Sequence, residues 1–145
     1  MKAVVQRVRS GSVTIDGQVV ASIERGFVIL LGVGRGDTAE TAAWLAKKCA
    51  ALRIFEDQQH LMNLGLADVG GKVIVVSQFT LYGDATRGKR PSFTDSAPPE
   101  IAEPLYQAFV DAMRAEGIDV QTGRFQAKML VSILNDGPVT LIIER

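Results

Sequence analysis

Residues 26–33 read "GFVILLGV". Six apolar side chains in so short a run cannot belong to a half-exposed strand, which would alternate apolar with polar. They suit a strand covered on both faces. Such a strand requires other elements above and below it, so this stretch decides the architecture. On its N-terminal side, "KAVVQRVRSGSVTIDGQVVASIE" (residues 2–24) alternates apolar and polar residues. It has a break at Ser10-Gly11 and an Asp16-Gly17 pair, a strong signal for a two-residue hairpin turn. On its C-terminal side, "GRGD" reads as a turn. "TAETAAWLAKKCAALRIF" follows, with Thr38 as N-cap and Ala42, Leu45, Cys49 and Leu52 at helical spacing.

Residues 56–71 are irregular and polar. "KVIVVSQFTL" (72–81) reads as another apolar strand, and "YGDATRGKRPSFTDSAPP" (82–99) as a long loop. A second amphipathic helix is expected in "EIAEPLYQAFVDAMRAEG", with Ile101, Leu105, Phe109 and Met113 as its apolar stripe and Gly117 as its stop. "DVQTGRF" and "KMLVSIL" supply further strands. "NDGPVT" (135–140) then separates "KMLVSIL" from "LIIE", as in a hairpin. Strands, helix, strand, long loop, helix and strands predict an α/β or α+β domain. It should have mixed β-sheets, two main helices and a layered β/β/α arrangement. A single domain spanning 1–145 is expected, since the chain has no repeat and no linker.

Composition narrows the chemistry. There is one cysteine, Cys49, and one histidine, His60. A thiolate zinc cage and an intrachain disulfide are excluded, and no spacing matches a metal motif. No metal and no cofactor are expected. A histidine-based triad would have to use His60, which lies in a polar stretch that reads as an exposed loop. "GVGRGD" is glycine-rich but lacks the lysine of a P-loop and the spacing of a dinucleotide fingerprint, so a capped strand-to-helix turn is the plainer reading. Sixteen basic residues balance sixteen acidic ones, whereas a protein that coats nucleic acid nonspecifically is usually basic. Any nucleic-acid partner must be gripped locally. The N-terminus lacks the apolar segment of a signal peptide and no run is long enough to span a bilayer, which predicts a cytoplasmic protein with no membrane partner.

Three stretches remain. "SQFTL" (77–81) puts Ser77, Gln78, Phe79 and Thr80 at the end of an apolar strand, where open sheets build their sites. Alternatively these polar groups satisfy nearby backbone. "TRGKRPSF" (86–93) carries Arg87, Lys89 and Arg90, which would each meet a backbone phosphate or simply be a solvated charged loop. In "NDGPVT", glycine lets a carbonyl approach a ligand closely and an X-Pro bond is readily cis, yet Gly-Pro also punctuates ordinary turns.

Together, "SQFTL" and "NDGPVT", both intact and in order, with "MKAVVQRV", "SVTIDGQVV", "GFVILLGV" and "TRGKRPSF" around them, resemble the D-aminoacyl-tRNA deacylases over the whole chain. The resemblance implies an enzyme that hydrolyses the ester joining a D-amino acid, or mischarged glycine, to the 3′ end of tRNA, as chiral proofreading in translation. It implies a homodimer with active sites at the interface. It also implies a cis Gly137-Pro138 bond that enters the partner's site and rejects L-amino acids, with Arg7 and Asn135 supporting that motif. The N–H groups of Phe79 and Thr80 would stabilise an oxyanion, and Gln78 and Ser77 would position substrate. Thr80 has no evident base to make it a nucleophile, so its hydroxyl reads as a positioning group. The terminal ribose 2′-hydroxyl would then assist. The competing readings are a noncatalytic binder of tRNA ends, a structural homo-oligomer, and a hydrolase of small D-amino acid esters.

Overall fold

The first strand, β1 (Lys2–Ile15), organises the sheet, because three other strands pair with it. The computed structural model describes residues 1–86 and 88–145. Asp16 and Gly17, with φ of +50° and +78°, turn β1 into β2 (Gln18–Ile23), and Ile15 pairs with Gln18 across this two-residue loop. Positive φ at both positions is what the hairpin turn demands, and Asp-Gly supplies it. The expected break at Ser10-Gly11 is not a chain break. There β1 changes partner, from β3 (Gly26–Gly32) along residues 2–8 to β2 along residues 11–15. Gly11 allows this bend, since a Cβ there would lie 2.6 Å from Val28 Cγ2.

Beyond β3 the sheet continues through β6 (Lys72–Ser77) and β7 (Val120–Thr122), both parallel to their neighbours. The Gln121 side chain accepts from Ser22 N–H at 2.7 Å and donates to Ser22 C=O at 2.9 Å, tying β7 to the far strand β2. The sheet therefore curls onto itself. Val13, Ile15, Ala21, Ile23, Val28, Ile74 and Val76 fill the inside of the curl. The opposite face presents Ala3, Val5, Phe27, Ile29, Leu31, Val73 and Val75 to the helices. β3 is buried on both faces, as its continuous apolar run requires. The architecture is a mixed-sheet α+β fold with helices on one side.

Helix α1 (Ala39–Ala50) begins at Thr38, whose hydroxyl accepts from Thr41 N–H at 3.3 Å in a reciprocal capping box. The Asp37 carboxylate accepts from Gly34 N–H at 2.6 Å and also takes the Met1 ammonium. The glycine-rich turn is thus filled by its own aspartate. A small sheet of β4 (Phe55–Glu56) and β5 (Met62–Leu64) and the single turn α2 (Leu66–Val69) follow, in the stretch read as irregular. Helix α3 (Pro99–Ala115) ends at Gly117, with φ of +82°. It buries Ala102, Tyr106, Phe109, Val110 and Met113. The expected stripe is half right: Ile101 is exposed and Leu105 only partly buried. Apolar residues occupy two adjacent columns of this helix, and the column one residue on faces the sheet.

The last strand corrects the sequence reading most. "NDGPVT" is not a hairpin. β8 (Leu130–Glu144) runs straight through it, and both halves pair antiparallel with β1. Gln6 pairs with Thr140 and Val8 with Asn135, so two steps along β1 match five along β8. Three extra residues are extruded as a wide bulge. Gly137, with φ of +118°, and Pro138, which has no N–H for the ladder, leave the sheet no use for this segment. Turn residues mark where a ladder is interrupted, and they do not say whether the chain then reverses. Among the described residues, no helix is long and apolar enough to cross a membrane.

Candidate active site

β6 ends at Ser77, sooner than its apolar run suggested, and residues Phe79–Tyr82 form one 3-10 turn. Gln78 N–H still donates to Leu31 C=O at 2.8 Å, which fixes the start of the turn to β3. Leu81 N–H donates to Gln78 C=O and Gly83 N–H to Thr80 C=O. The first two N–H groups of the turn, those of Phe79 and Thr80, have no acceptor among the described residues. This is the ordinary condition of a helical N-terminus, and it presents two adjacent donors. The Gln78 side-chain amide donates to Thr80 Oγ1. Among the described residues, no imidazole or carboxylate is hydrogen-bonded to this hydroxyl, the kind of neighbour that activates a nucleophile.

Ser77, Gln78 and Phe79 line a cleft of about 880 Å³, within the range of small-molecule sites. Its other walls include Val33 and Arg35, Phe93 with Ser96 to Pro99, and Phe125, Ala127, Met129 and Val131. The Phe79 ring is 56% exposed and meets Phe93 edge-on at 5.2 Å. That contact joins the turn to the basic loop. Asp84 and Ser92 exchange both backbone hydrogen bonds, at 2.8 and 2.9 Å, and so close the loop between them. The Asp84 carboxyl is held below the usual carboxylate range by the Thr86 side chain and N–H. Lys89 and Arg90 lie exposed within the loop; Arg87, the third phosphate candidate, lies outside the described residues.

The Gly137-Pro138 bulge is elsewhere. Its peptide bond is cis and both residues are exposed. Arg7, only 4% exposed, holds its base. Arg7 Nη1 donates to Ile54 C=O at 2.6 Å, and Nε donates to Asp136 C=O at 3.2 Å and lies 3.4 Å from the Asp136 carboxylate. Asn135 Nδ2 donates to Arg7 C=O and to Val139 C=O, each at 3.1 Å, clamping the two ends of the bulge together. A Cβ on Gly137 would sit 2.8 Å from Arg7 Nη2. Gly137 borders a second cleft, with Arg7, Arg9, Arg25, Glu56, His60 and Asp136. The two clefts share no lining residue. Within one chain, the structure therefore groups Ser77, Gln78 and Phe79 in one place and Arg7, Asn135, Gly137 and Pro138 in another.

Other reactive groups are spoken for. Burial pushes the Cys49 thiol up to about 12. Tyr106, also raised to about 12 by burial, donates to Val75 C=O at 2.9 Å. His60 is a surface residue of the second cleft, 3.4 Å from Glu56. Among the described residues there is no cluster of three metal-binding side chains. Sequence reasoning missed the far wall of the main cleft. Phe93, Phe125 and Met129 carry no local signal, since they look like loop and strand residues until the fold brings them opposite Ser77.

The curled mixed sheet thus carries backbone donors at the end of a parallel strand and an extruded Gly-Pro bulge, and both motifs are displayed rather than buried. The chain matches the family described as D-Tyr-tRNA(Tyr) deacylase over residues 4–144, and it belongs to that family. A D-aminoacyl-tRNA deacylase of Pelobacter propionicus is 55% identical over 145 residues, covering 100% of each chain. One of Thermotoga petrophila is 51% identical over 144 residues, covering 99% of this chain and 97% of the other. Among solved structures, a c-Myc DNA unwinding element binding protein superposes with a TM-score of 0.92 at 38% identity, covering 100% of this chain and 99% of the other. A probable eukaryotic D-amino acid tRNA deacylase shares the fold, with a TM-score of 0.83 at 16% identity over 98% of this chain and 97% of the other.

Proposed function

We propose that this chain hydrolyses the ester bond of D-aminoacyl-tRNA, and of glycine mischarged on tRNA, in a homodimer whose sites are shared between protomers. The observation that carries this reading is the separation of the two motifs. The donor turn lines one cleft and the extruded Gly137-Pro138 bulge stands at another. A bulge from the partner protomer, set against the donor turn, makes one complete site from the two. The rim of β8 supports a partner: among the described residues β8 pairs only with β1, and Leu130, Leu134 and Ile142 are 68%, 59% and 70% exposed along it. A long open edge with apolar side chains is an association surface.

In this reading the terminal aminoacyl-adenosine occupies the main cleft. Water adds to the ester carbonyl carbon, oriented by the ribose 2′-hydroxyl; were that hydroxyl itself the nucleophile, the acyl group would first move to the 2′-oxygen, and water would then have to cleave the 2′-ester to release the amino acid. The N–H groups of Phe79 and Thr80 receive the developing oxyanion, an arrangement in which one donor is worth about 3–4 kcal/mol in the transition state. The intermediate collapses, the ribose 3′-oxygen leaves and takes a proton, and free amino acid and tRNA result. Ser77 and Gln78 orient the substrate. Backbone carbonyls at the partner's Gly-Pro bulge fix the α-amino group, so an L side chain meets that wall while a D side chain points out. Glycine has nothing to collide and is not excluded. Rejection by collision is selectivity obtained from repulsion. Lys89, Arg90 and Arg87 are proposed phosphate contacts. A cytoplasmic setting, where aminoacyl-tRNA is used, fits this role.

A noncatalytic binder of nucleic-acid ends is the second reading, favoured because no general base among the described residues is hydrogen-bonded to the Thr80 hydroxyl. Hydrolysis of matched D-Tyr-tRNA and L-Tyr-tRNA with chelator present decides between them. Rapid release of the D-amino acid alone is expected. Tight tRNA binding with both esters intact would favour the binder.

A further inference from the structure

Among the described residues, seventeen line the main cleft, and Arg35 is the only charged one of those. It is held in place twice: its N–H donates to Asp95 C=O at 3.2 Å, and its Nε donates to Thr94 C=O. Its two terminal nitrogens have no carboxylate within 4.0 Å among the described residues, and the side chain is exposed. A guanidinium anchored through Nε keeps a two-pronged donor edge for an anion. The neighbouring start of α3 is no competitor for that anion. Pro98 and Pro99 have no N–H to offer, and Glu100 places a negative charge in the first turn.

The ester itself carries no anionic group, and neither does adenosine. An RNA strand entering the cleft by its 3′ end has its first negative charge at the phosphodiester just before the terminal nucleoside. Resting on the deacylase reading above, we propose that Arg35 grips that phosphodiester and so sets how deeply the 3′ end is seated. Arg35 is then a positioning residue for tRNA, separate from the loop cations Lys89 and Arg90. The glycine-rich "GVGRGD" turn has a use after all, through its arginine rather than its glycines.

The test compares two substrates and one binding measurement. D-Tyr-tRNA carries the phosphodiester, while D-tyrosyl-adenosine carries the same ester and base without it. Arg35→Gln is expected to lower kcat/KM about tenfold for D-Tyr-tRNA, mainly through KM, relative to its effect on D-tyrosyl-adenosine. The affinity of uncharged tRNA should fall likewise, and the slope of log affinity against log salt should become shallower by about 0.7, as for one lost phosphate contact on a single strand. Arg35→Lys loses the Nε bond to Thr94 but keeps the charge, and it should retain the wild-type slope. An equal loss on both substrates, or an unchanged salt slope for Arg35→Gln, would overturn the assignment. If the wild type binds tRNA but cleaves neither ester, the deacylase reading fails, while a shallower Arg35→Gln slope would still support the phosphate contact.

Discussion

Replacing Arg7 by methionine keeps most of the buried aliphatic stem and removes the guanidinium. The loss can be worked through contact by contact. The bond from Nη1 to Ile54 C=O, at 2.6 Å, is buried, and a charged donor of this kind contributes about 1.5–3 kcal/mol. The bond to Asp136 C=O is longer and partly buried, so we assign it about 1 kcal/mol. The ion pairs reach carboxylates that are 28% exposed at Asp136 and 45% exposed at Glu56, and such screened pairs contribute about 0–1 kcal/mol. The sum is about 2.5–5 kcal/mol, in line with breaking a buried charged contact. For a chain of this size that corresponds to a fall in Tm of roughly 10 °C. The assay is thermal unfolding at fixed protein concentration, because association would shift the midpoint. The same variant should begin to hydrolyse L-Tyr-tRNA, since Arg7 holds the base of the bulge. Arg7→Lys, with its charge but no fork, should fall between. A Tm within about 2 °C of wild type, together with intact rejection of the L-ester, would refute the argument.

Three further expectations concern separate parts of the structure. Gly137→Ala places a methyl 2.8 Å from Arg7 Nη2 at a φ of +118°, so the bulge must move; the ratio of D- to L-Tyr-tRNA hydrolysis should drop at least tenfold in a protein that still folds, and an unchanged ratio would remove Gly137 from the wall. Thr80→Val should retain D-specific hydrolysis within about tenfold, because a donor N–H rather than the hydroxyl is assigned the catalytic work, whereas a loss of more than about a thousandfold in single-turnover kinetics would make Thr80 the nucleophile. Stability should fall as pH rises above about 9. The Cys49 thiol ionises near its usual value in the unfolded chain but only at about 12 when folded. Above pH 9 the unfolded state therefore binds fewer protons and is favoured. Tyr82 and Tyr106, raised to about 12 mainly by burial, add to the loss above pH 10. Denaturant unfolding at pH 7 to 11 measures it, and Cys49→Ala should flatten the decline.

The strand and helix elements were legible wherever a single physical demand wrote the sequence. Two-faced burial wrote "GFVILLGV", the positive φ angles of a tight turn wrote Asp16-Gly17, and a capping box wrote Thr38 and Thr41. Legibility failed where one pattern serves two structures. The Gly137-Pro138 segment carries the same residues whether the chain reverses or bulges, and the answer depends on β1 being long enough to pair with both halves of β8. Ile101 misled because α3 is apolar on two adjacent columns and only the sheet decides between them. The members of the main cleft were half legible. Ser77 to Thr80 stand out as polar residues ending an apolar strand, but Phe93, Phe125, Met129 and Arg35 reach the cleft from distant parts of the chain. That one chain keeps its two motifs in different clefts could not be read from their order.

The claim that the donor turn and the selectivity wall act across two chains has a direct test in a purified heterodimer of Phe79→Pro and Gly137→Ala subunits, isolated through different affinity tags. Proline at the first position of the turn removes the Phe79 N–H with little backbone cost, and loss of one such donor lowers turnover about 10²–10³-fold. The Phe79→Pro homodimer should be nearly inactive, and the Gly137→Ala homodimer should accept L-Tyr-tRNA. In the heterodimer, the only intact donor turn belongs to the chain with the damaged bulge. If the wall comes from the partner, that turn faces an unaltered bulge, and the heterodimer should cleave D-Tyr-tRNA while refusing L-Tyr-tRNA. If each chain walls its own cleft, the heterodimer will cleave both, and the shared-site account is wrong.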